Sequence, residues 1–417
     1  MHTIDAHHGG HGDGRGGNGR PADGRDGGGR DGGGRNGGAG RAGPRIAVVG
    51  GGIGGLVLAG MLHRHGIAAT VYERDGGIDA RAHGGTLDLH PESGQRALGD
   101  LGLADAFGAE ARPEGENLRI LDAAGRTLAH HAPEPGSGTR PEIDRGVLRK
   151  LLLTAVPGAA VSWGRHLTGV EQRPGGGHRL AFADGGRAEC DLLIGADGGR
   201  SRVRPLLTDA RPEHLSVHLQ LTVSDADRSR PAVAAFVGPG SVMALGDDLN
   251  LGAQRSGDGT VRVSVTLRAD AGWLDRQRFG ELSWDATVAR LHGLLGGWDP
   301  GLTGLIDACD PGSLVARVIE ALPVGTRWPS RADVTLLGDA AHLMPPVGEG
   351  ANQAMLDGVL LAHAIAGDRD DPAAAIAAYE AEMFDRAESV GAESAMMETM
   401  GLAPDAAERV ASFFTQR

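Results

Sequence analysis

A glycine-rich turn between an apolar strand and a helix constrains the fold of this 417-residue chain more than any other feature of its sequence. The segment reads Arg45-Ile-Ala-Val-Val-Gly50-Gly-Gly52-Ile-Gly-Gly55-Leu-Val-Leu-Ala, the G-x-G-x-x-G pattern of a dinucleotide-binding βαβ unit. Here we expect Gly50 to make the tight turn, Gly52 to leave room for a pyrophosphate and Gly55 to let the helix pack on the strand. The pattern therefore predicts a Rossmann-type fold.

The second strand of this unit supports the same interpretation. It reads Ala69-Thr-Val-Tyr-Glu73-Arg74, and its acid lies about twenty residues beyond the glycines, where it can accept hydrogen bonds from ribose hydroxyls. Glu73 is accordingly a candidate cofactor contact, and so is Arg74 beside it. Glycines alone would be weak evidence in a chain that contains 71 of them. Strand, helix and acid in register predict dinucleotide binding, with NAD(P) or FAD as the ligand.

A second glycine-rich turn, within residues 334–357, predicts another site for an anionic ligand. An apolar run ends at Gly338-Asp339, two prolines follow, and Gly348 and Gly350 precede an apolar helix. A helix that starts in such a turn directs unpaired N–H groups and a partial positive charge at its ligand. That ligand is a phosphate or the N1–C2=O edge of a reduced flavin.

A third motif lies between these two along the chain. Residues 190–204 read as an apolar strand that ends at Gly195-Ala-Asp197-Gly, followed by a basic helix start that Ser201 can cap. Taken alone, this is an ordinary strand-to-helix turn. Its position between two glycine-rich motifs makes Asp197 a candidate cofactor contact.

The three motifs together resemble those of the single-component FAD-dependent aromatic hydroxylases. Within that group the chain is most similar to the tetracycline-inactivating flavin monooxygenase family. Two further segments carry this second likeness, Arg81-Ala-His-Gly-Gly-Thr-Leu-Asp88-Leu-His and Pro141-Glu-Ile-Asp-Arg145-Gly-Val-Leu-Arg. The resemblance extends over about residues 45–379. It is weakest between the motif at residues 190–204 and the motif at residues 334–357.

The resemblance implies an enzyme with FAD as cofactor and with NADPH or NADH and O2 as co-substrates. Such an enzyme hydroxylates a flat aromatic or polyketide-like molecule through a flavin C4a-hydroperoxide. Arg81 corresponds to a nicotinamide contact of that family. Asp88, Arg145 and Asp339 correspond to FAD contacts, and Gly350 belongs to the helix start that faces the flavin. The resemblance implies no catalytic side chain, because the chemistry takes place on the cofactor.

The substrate contacts of the tetracycline-acting family are matched only in part. Gln220 lies close to the position of a substrate-binding Gln, and Met243 is a second candidate for lining the substrate pocket. The Arg that accompanies this Gln is missing, since Ser241 or Val242 stands in its place, so the basic anchor is absent or is supplied elsewhere. We therefore predict weak binding of tetracycline and a different flat, electron-rich substrate, such as a polyketide, an indole or a phenol.

Composition and charge exclude several other classes of function. The net charge of −13 disfavours nucleic-acid binding, which needs clustered Lys and Arg. Two cysteines cannot build a disulfide framework, and no membrane-length apolar stretch or signal-peptide core is present. A cytoplasmic monomer without membrane contact is expected. The histidines lack partners at metal-ligand spacing, so no metal site is predicted, and His342 beside the flavin turn is interpreted as structural.

The predicted fold is α/β, with a Rossmann-type FAD-binding domain of the glutathione-reductase-like kind, an antiparallel β-sheet substrate domain and a long C-terminal helix. The alternation of apolar and polar residues in Val261–Leu267 is typical of the substrate sheet. The expected divisions are a disordered low-complexity tail (1–43), a discontinuous FAD-binding domain (44–205 and 323–371), the substrate sheet (206–322) and a helical bracing segment (372–417).

Two alternative functions are compatible with the same motifs. One is an FAD-dependent oxidoreductase that inserts no oxygen, and the other is a non-catalytic protein that holds an aromatic ligand next to a flavin. Measuring NADPH oxidation with a panel of aromatic compounds, together with peroxide detection, separates these alternatives from a monooxygenase.

Overall fold

The computed structural model describes residues 43–80, 84–134 and 137–415. The tail predicted for residues 1–43 lies outside these ranges apart from Gly43, and so does Arg81, the predicted nicotinamide contact. Within the described ranges the chain forms the α/β fold that the sequence predicts.

The described elements alternate between strands and helices in the first part of the chain and again near its end. The strands are β1 (Ile46–Val49), β2 (Ala69–Tyr72), β3 (Thr86–Asp88), β4 (Leu118–Asp122), β5 (Thr127–His131), β6 (Glu142–Asp144), β7 (Val161–Ser162), β8 (Leu167–Gln172), β9 (His178–Phe182), β10 (Arg187–Cys190), β11 (Leu192–Gly195), β12 (Glu213–Val223), β13 (Ser241–Gly246), β14 (Leu249–Arg255), β15 (Val261–Leu267), β16 (Val315–Ala321) and β17 (Val334–Leu336). The helices are α1 (Ile53–Arg64), α2 (Arg96–Leu101), α3 (Ala104–Glu110), α4 (Arg145–Leu153), α5 (Ala226–Ser229), α6 (Pro231–Val237), α7 (Trp273–Gln277), α8 (Trp284–Leu294), α9 (Pro300–Asp307), α10 (Asp339–His342), α11 (Glu349–Gly367), α12 (Pro372–Gly401) and α13 (Ala406–Thr415).

The first sheet is parallel and carries the glycine-rich turns. Its strand order is β17-β11-β1-β2-β7, and each neighbouring pair runs in the same direction. Its core is aliphatic and includes Val48, Leu56, Leu193 and Val359, all buried. Because the carboxyl ends of parallel strands meet at one edge, the turns after β1, β11 and β17 are brought together there.

The second sheet is larger and has the order β16-β12-β15-β14-β13-β4-β5. Its strands are antiparallel except for the parallel pair β13 and β4. The alternation in β15 buries Val261, Val263 and Val265 in a core that also contains Leu291 of α8 and Leu302 of α9. The opposite face of the sheet therefore carries the polar side chains of these strands.

Two strands of this second sheet come from a part of the chain that the sequence assigned elsewhere. Strands β4 and β5 lie within residues 44–205, the first segment of the predicted FAD-binding domain. Their local pattern indicates strands but does not show which sheet they join. They join the second sheet through a long-range pairing in which Ile120 is the partner of Met243. We propose that residues 118–131 be grouped with residues 206–322, and the other domain bounds stay as predicted.

Strands β3 and β6 form a short two-stranded ribbon apart from the two large sheets. Strands β3 and β6 are antiparallel, with Asp88 opposite Glu142 and Thr86 opposite Asp144. A separate antiparallel sheet has the order β10-β9-β8. The ribbon matters for function because β3 contains Asp88 and β6 is followed directly by Arg145, two residues that the sequence places near a cofactor.

The long C-terminal helix is present, as predicted, and spans α12. Its N-cap is Asp371, whose side chain accepts a hydrogen bond from the backbone N–H of Ala374 at 3.0 Å. Helix α13 follows it and packs on β4, β5 and β13 through Ala407 and Val410. None of the helices in the described ranges is both long enough and apolar enough to cross a membrane.

Candidate flavin site and substrate face

The three glycines of the first turn have different surroundings. Two of them pack closely against the backbone, and the third borders open space. Gly50 has φ of 108°, and a Cβ there would overlap the carbonyl oxygen of Ala196. A Cβ on Gly55 would overlap the carbonyl oxygen of Gly50. No described atom lies within 4 Å of a Cβ built on Gly52. The turn thus packs tightly against the backbone at Gly50 and Gly55 and leaves room for a ligand at Gly52.

Two helix starts at this edge are suited to an anionic ligand. Helix α1 follows Gly52 and helix α11 follows Gly348, and neither N-cap makes a side-chain capping bond. Gly348 has φ of 106°, which favours glycine. Uncapped N–H groups at a helix start bind phosphates and other anions well. These residues fit FAD, whose pyrophosphate and flavin edge both need such groups.

Glu73, the predicted ribose acceptor, is almost fully buried at 4% exposure. One carboxylate oxygen accepts the backbone N–H of Gly51 at 2.7 Å, and the other accepts that of Asp75 at 2.9 Å. These bonds hold the glycine-rich turn against the end of β2. A carboxylate has about four acceptor sites, so binding of ribose by Glu73 stays a prediction. Arg74 is exposed.

Arg149 is a residue that the sequence reasoning missed. It is 3% exposed, and its Nε donates to the carbonyl oxygen of Gly51 at 2.9 Å. Its guanidinium forms ion pairs with Glu73 at 3.5 Å and with Asp75 at 3.3 Å. The available signal was its spacing, because it follows Leu148 on the core-facing side of α4. A buried arginine requires acidic partners, and here they are the acids that shape the turn.

Asn352 joins the ribbon to the start of α11 and was also missed. It is fully buried, its Nδ2 donates to the carbonyl oxygen of Asp88 at 2.9 Å, and its Oδ1 accepts the N–H of His90 at 3.0 Å. The Asp88 side chain contacts His90 through Oδ2 and Nε2 at 2.9 Å. A Cβ on Gly348 would lie 3.3 Å from the carboxylate of Asp88. The predicted FAD contact Asp88 therefore lies beside the start of α11.

Asp339 begins α10 directly after β17, with an exposed side chain. Its carboxylate lies 3.6 Å from a Cβ built on Gly350, so both predicted contacts face the same space. The buried side chain of Arg204 holds the turn from behind. It donates to the carbonyl oxygens of Asp339 at 2.9 Å and Ala340 at 2.7 Å. The predicted contact Arg145 is the first residue of α4 and is exposed.

Asp197 is engaged with its own loop. Its two oxygens accept the hydroxyl of Ser201 at 2.6 Å and the N–H of Arg202 at 2.7 Å. Burial raises the pKa of Asp197, and the Ser201 hydrogen bond only partly offsets this. The helix start predicted after this turn is wrong, since residues 204–206 form only a 3-10 turn. Direct contact of Asp197 with a cofactor stays a prediction.

A buried ionic group supports the flavin turn from the side of the long helix. Asp357 is fully buried and accepts the N–H of Gly338 at 2.8 Å and Nε2 of His342 at 2.7 Å. Its other oxygen accepts a bond from Arg386 of α12. Burial alone would lower the pKa of His342, but the Asp357 carboxylate raises it above the ordinary value. Burial alone would raise the pKa of Asp357, and His342 and Arg386 lower it.

The register of the second sheet places the two predicted substrate contacts in one cross-strand row. Gln220 pairs with Ser264, Ser264 with Gly252, and Gly252 with Met243. All four lie on the face opposite the α8 and α9 core, and Met243 is 36% exposed. We call the polar side of β12, β13, β14 and β15 the substrate face.

The substrate face is bordered by elements from both ends of the chain. The ribbon reaches it where Gln254 donates to Glu142 at 3.4 Å. Helix α12 reaches it where Ser216 donates to Glu398 at 2.7 Å. Glu142 is 8% exposed, and burial raises its pKa to about 7. The ribbon thus links the substrate face to Asp88 and the flavin turn.

A cavity of about 220 Å³ lies next to this border. Its walls include Leu215, Met344, Pro345 and Glu398. Gln220 and Met243 are not among the described residues that line it. Because Met344 and Pro345 follow the flavin turn directly, we interpret the cavity as a neighbour of the predicted pocket rather than as the pocket itself.

Comparison with known proteins identifies the family. A family model described as an FAD binding domain matches residues 45–394. The chain belongs to this family. It is 34% identical to the 3-amino-4-hydroxybenzoate 2-monooxygenase PtmB3 of Streptomyces platensis over 353 residues, which cover 81% of this chain and 83% of that protein.

Solved structures of flavin enzymes have the same fold. Klebsiella pneumoniae HpxO complexed with FAD and uric acid superposes with a TM-score of 0.73 at 25% identity, covering 89% of this chain and 93% of that one. Tetracycline destructase Tet(51) superposes with a TM-score of 0.68 at 18% identity, covering 89% and 96%; this likeness concerns the fold alone. The chain is an FAD-dependent monooxygenase, and NAD(P)H and O2 are the co-substrates typical of its class.

No group of three or more His, Cys, Asp or Glu side chains is arranged to hold a metal ion within the described ranges. The cysteines Cys190 and Cys309 are both buried and unpaired. Burial raises their pKa values to about 11 and about 12 respectively. Neither thiol is therefore suited to nucleophilic chemistry near neutral pH.

Proposed function

We propose that this monooxygenase hydroxylates a small planar aromatic compound that binds between the flavin ring and the substrate face. The observation that carries the proposal is the common row of Gln220, Ser264, Gly252 and Met243. A flat row with hydrogen-bonding groups, a glycine in the middle and an adaptable Met at one end suits an aromatic ring. The ribbon contacts both this face and the start of α11, which supports a position of the ring close to the flavin.

The proposed FAD contacts come from the turns that follow the parallel strands and from the neighbouring ribbon and helix starts. They are Gly50, Gly52, Gly55, Glu73, Arg74, Asp88, Arg145, Asp197, Asp339 and Gly350. Arg81 is kept as the proposed nicotinamide contact, although it lies outside the described residues. Supporting this set are the open space at Gly52, the uncapped starts of α1 and α11, and the facing positions of Asp339 and Gly350.

Bound FAD supplies hydride acceptance and oxygen activation, and the protein supplies binding and orientation. The uncapped start of α11 would hold a partial positive charge against the anionic edge of a bound, reduced flavin. Gln220 and Ser264 orient the substrate by hydrogen bonds from one side. Helix α13 and the ribbon cover two sides of the face and keep water from the reacting atoms.

The names of the relatives favour a small aromatic substrate rather than a four-ring polyketide. PtmB3 is named for an aminohydroxybenzoate, and the HpxO complex contains uric acid. We therefore propose a one- or two-ring aromatic compound for this chain. We also propose a cytoplasmic monomer without nucleic-acid or membrane partners, because the net charge is −13 and both cysteines are buried thiols.

The experiment that tests the proposed function is a substrate screen on the purified FAD-loaded protein. NADH and NADPH oxidation, hydroxylated product and hydrogen peroxide are measured with a panel of phenols, aromatic acids, indoles and tetracycline. We expect at least one small aromatic to accelerate NAD(P)H oxidation with more product than peroxide. Tetracycline is expected to give mostly peroxide. The proposal is wrong if every aromatic gives peroxide alone.

Replacing Asp339 by Ala is expected to weaken FAD binding about tenfold or more, because a charge-assisted hydrogen bond to a ribityl hydroxyl contributes roughly 1.5–3 kcal/mol. The backbone bonds from Arg204 to this turn survive the change, so the fold should be retained. Flavin absorbance after dilution and gel filtration measures the effect.

Asp247→Ala, at an exposed turn of the second sheet, serves as the control for Asp339→Ala and should keep its FAD. Full retention of flavin by Asp339→Ala under the same dilution would contradict the assignment of Asp339.

A further inference from the structure

One arginine on the substrate face forms no ion pair with the described residues. Arg262 of β15 lies between Thr222 and Gln254 in a cross-strand row that ends at Ser241. This row is adjacent to the row of Gln220, and both project from the same face. A strand rises by about 6–7 Å over two residues, so Arg262 and Ser264 are separated by about that distance along β15.

Among the described residues, no acid lies close enough to Arg262 to form an ion pair with it. Its Nε is buried without a hydrogen-bond partner, and no Asp or Glu oxygen in the described part of the chain lies within ion-pair distance of its guanidinium. Its Nη1 would be 2.8 Å from a Cβ on Gly84, so the guanidinium lies against this glycine, which precedes β3.

The acids around this row are already engaged. Glu142 accepts bonds from Thr86 and Gln254, and Asp144 pairs with Arg112 at 3.1 Å. Other arginines buried in the described region have partners, as Arg204 has the carbonyls of the flavin turn. Arginine keeps its charge at every working pH, and a partly buried cation without a counter-ion is costly. An anionic ligand would offset that cost.

We infer that Arg262 binds the carboxylate of an aromatic acid substrate, whose ring lies on the row of Gln220, Ser264 and Met243. This inference rests on the proposed function and specifies its substrate class. A planar guanidinium matches a carboxylate with two parallel hydrogen bonds. The step of about 6–7 Å between the two rows matches the length of a one-ring aromatic acid.

Arg262 also offers a basic group close to Ser241, which with Val242 is one of the two positions where the basic anchor is missing. Ser241 pairs with Gln254, and Gln254 pairs with Arg262, so the two positions share a row although they are 21 residues apart in the chain. The backbone of Arg262 lies two strands away from that of Ser241, about 9–10 Å across the sheet. An anion held there binds nearer to Gln220 than one held at Ser241 would.

The test compares each acid with its neutral amide on the oxidised FAD-loaded protein. The probes are 4-hydroxybenzoate with 4-hydroxybenzamide and 2-naphthoate with 2-naphthamide, and binding is followed by the change in flavin absorbance. We expect the wild type to prefer the acids. Arg262→Gln should weaken acid binding about ten- to hundredfold, the loss of one charge-assisted bidentate pair, and leave amide binding unchanged. Arg262→Lys should recover part of the preference.

Arg228→Gln, whose side chain is 86% exposed on α5, is the control and should keep the preference for acids. FAD content and flavin midpoint potential are measured for each variant. An unchanged preference in Arg262→Gln overturns the inference. So does a shift in midpoint potential with unchanged acid affinity, because the guanidinium would then serve the flavin ring.

The same experiment separates this inference from the proposed function. If the wild type binds and hydroxylates aromatic compounds but Arg262→Gln keeps the preference for acids, only the role of Arg262 is wrong. If the wild type binds neither member of either pair and no aromatic stimulates NAD(P)H oxidation, the proposed function fails together with the inference.

Discussion

Replacing Gly52 by Val is expected to remove FAD from the protein while leaving the fold intact. No described atom lies within 4 Å of a Cβ at this position, and the φ of −77° is one that valine adopts readily. The added side chain therefore meets no protein atoms but fills the space needed by the pyrophosphate. Overpacking typically costs about 1–3 kcal/mol, which corresponds to roughly a 5- to 150-fold loss of affinity.

Flavin absorbance after desalting measures the effect of Gly52→Val, and thermal unfolding of the FAD-free protein checks the fold. Gly76→Val is the matched control, because that exposed glycine also has no described atom within 4 Å of a built Cβ. Gly55→Val should instead damage the fold, since its Cβ would overlap the carbonyl oxygen of Gly50. A Gly52→Val protein with a full complement of FAD would place the pyrophosphate elsewhere.

Replacing Asp357 by Asn is expected to lower the free energy of unfolding by about 3–5 kcal/mol, the usual effect of breaking a buried ion pair. The change leaves His342 and Arg386 without their shared counter-charge and weakens the bond to the N–H of Gly338. Urea unfolding of both proteins in the FAD-free state measures the difference. Asp385→Asn, on α12 in an exposed pair with Arg327, should leave the free energy almost unchanged.

The effect of Asp357→Asn is expected to depend on pH in a defined direction. The folded state raises the pKa of His342, so that contribution is complete below pH 6.5 and is lost as the pH rises through the folded value. The folded state lowers the pKa of Asp357, so its contribution is present above pH 3.8 and is lost as the pH falls through the folded value. The difference between wild type and variant should be largest between these values. A pH-independent difference would contradict the account of this group.

The local motifs were predictable because short-range geometry determines them. The turn at Gly50 and Gly55 needs glycine for packing that involves neighbouring strand and helix backbone, and the pattern in the sequence carries that requirement directly. The strand at Val261–Leu267 was visible from alternation alone and forms with those bounds. Such features depend on residues close together in the chain.

The residues that the sequence did not reveal depend on long-range register. Arg262 meets the row of Ser241 only because β13, β14 and β15 pair in one particular alignment. Asn352 becomes a connector only when α11 lies beside the ribbon that contains Asp88. A one-residue shift of a strand would turn its side chains to the opposite face of the sheet. The local sequence does not show which alignment of the strands forms.

The central claim is that the protein uses its bound flavin to insert oxygen into a small aromatic held on the substrate face. The most direct measurement is turnover in O2 labelled with oxygen-18, with the aromatic compound that best stimulates NAD(P)H oxidation, followed by mass spectrometry of the product. We predict one labelled oxygen atom in each hydroxylated product and a yield of product close to the NAD(P)H consumed. Unlabelled product, or NAD(P)H oxidation that yields only hydrogen peroxide, would contradict the claim.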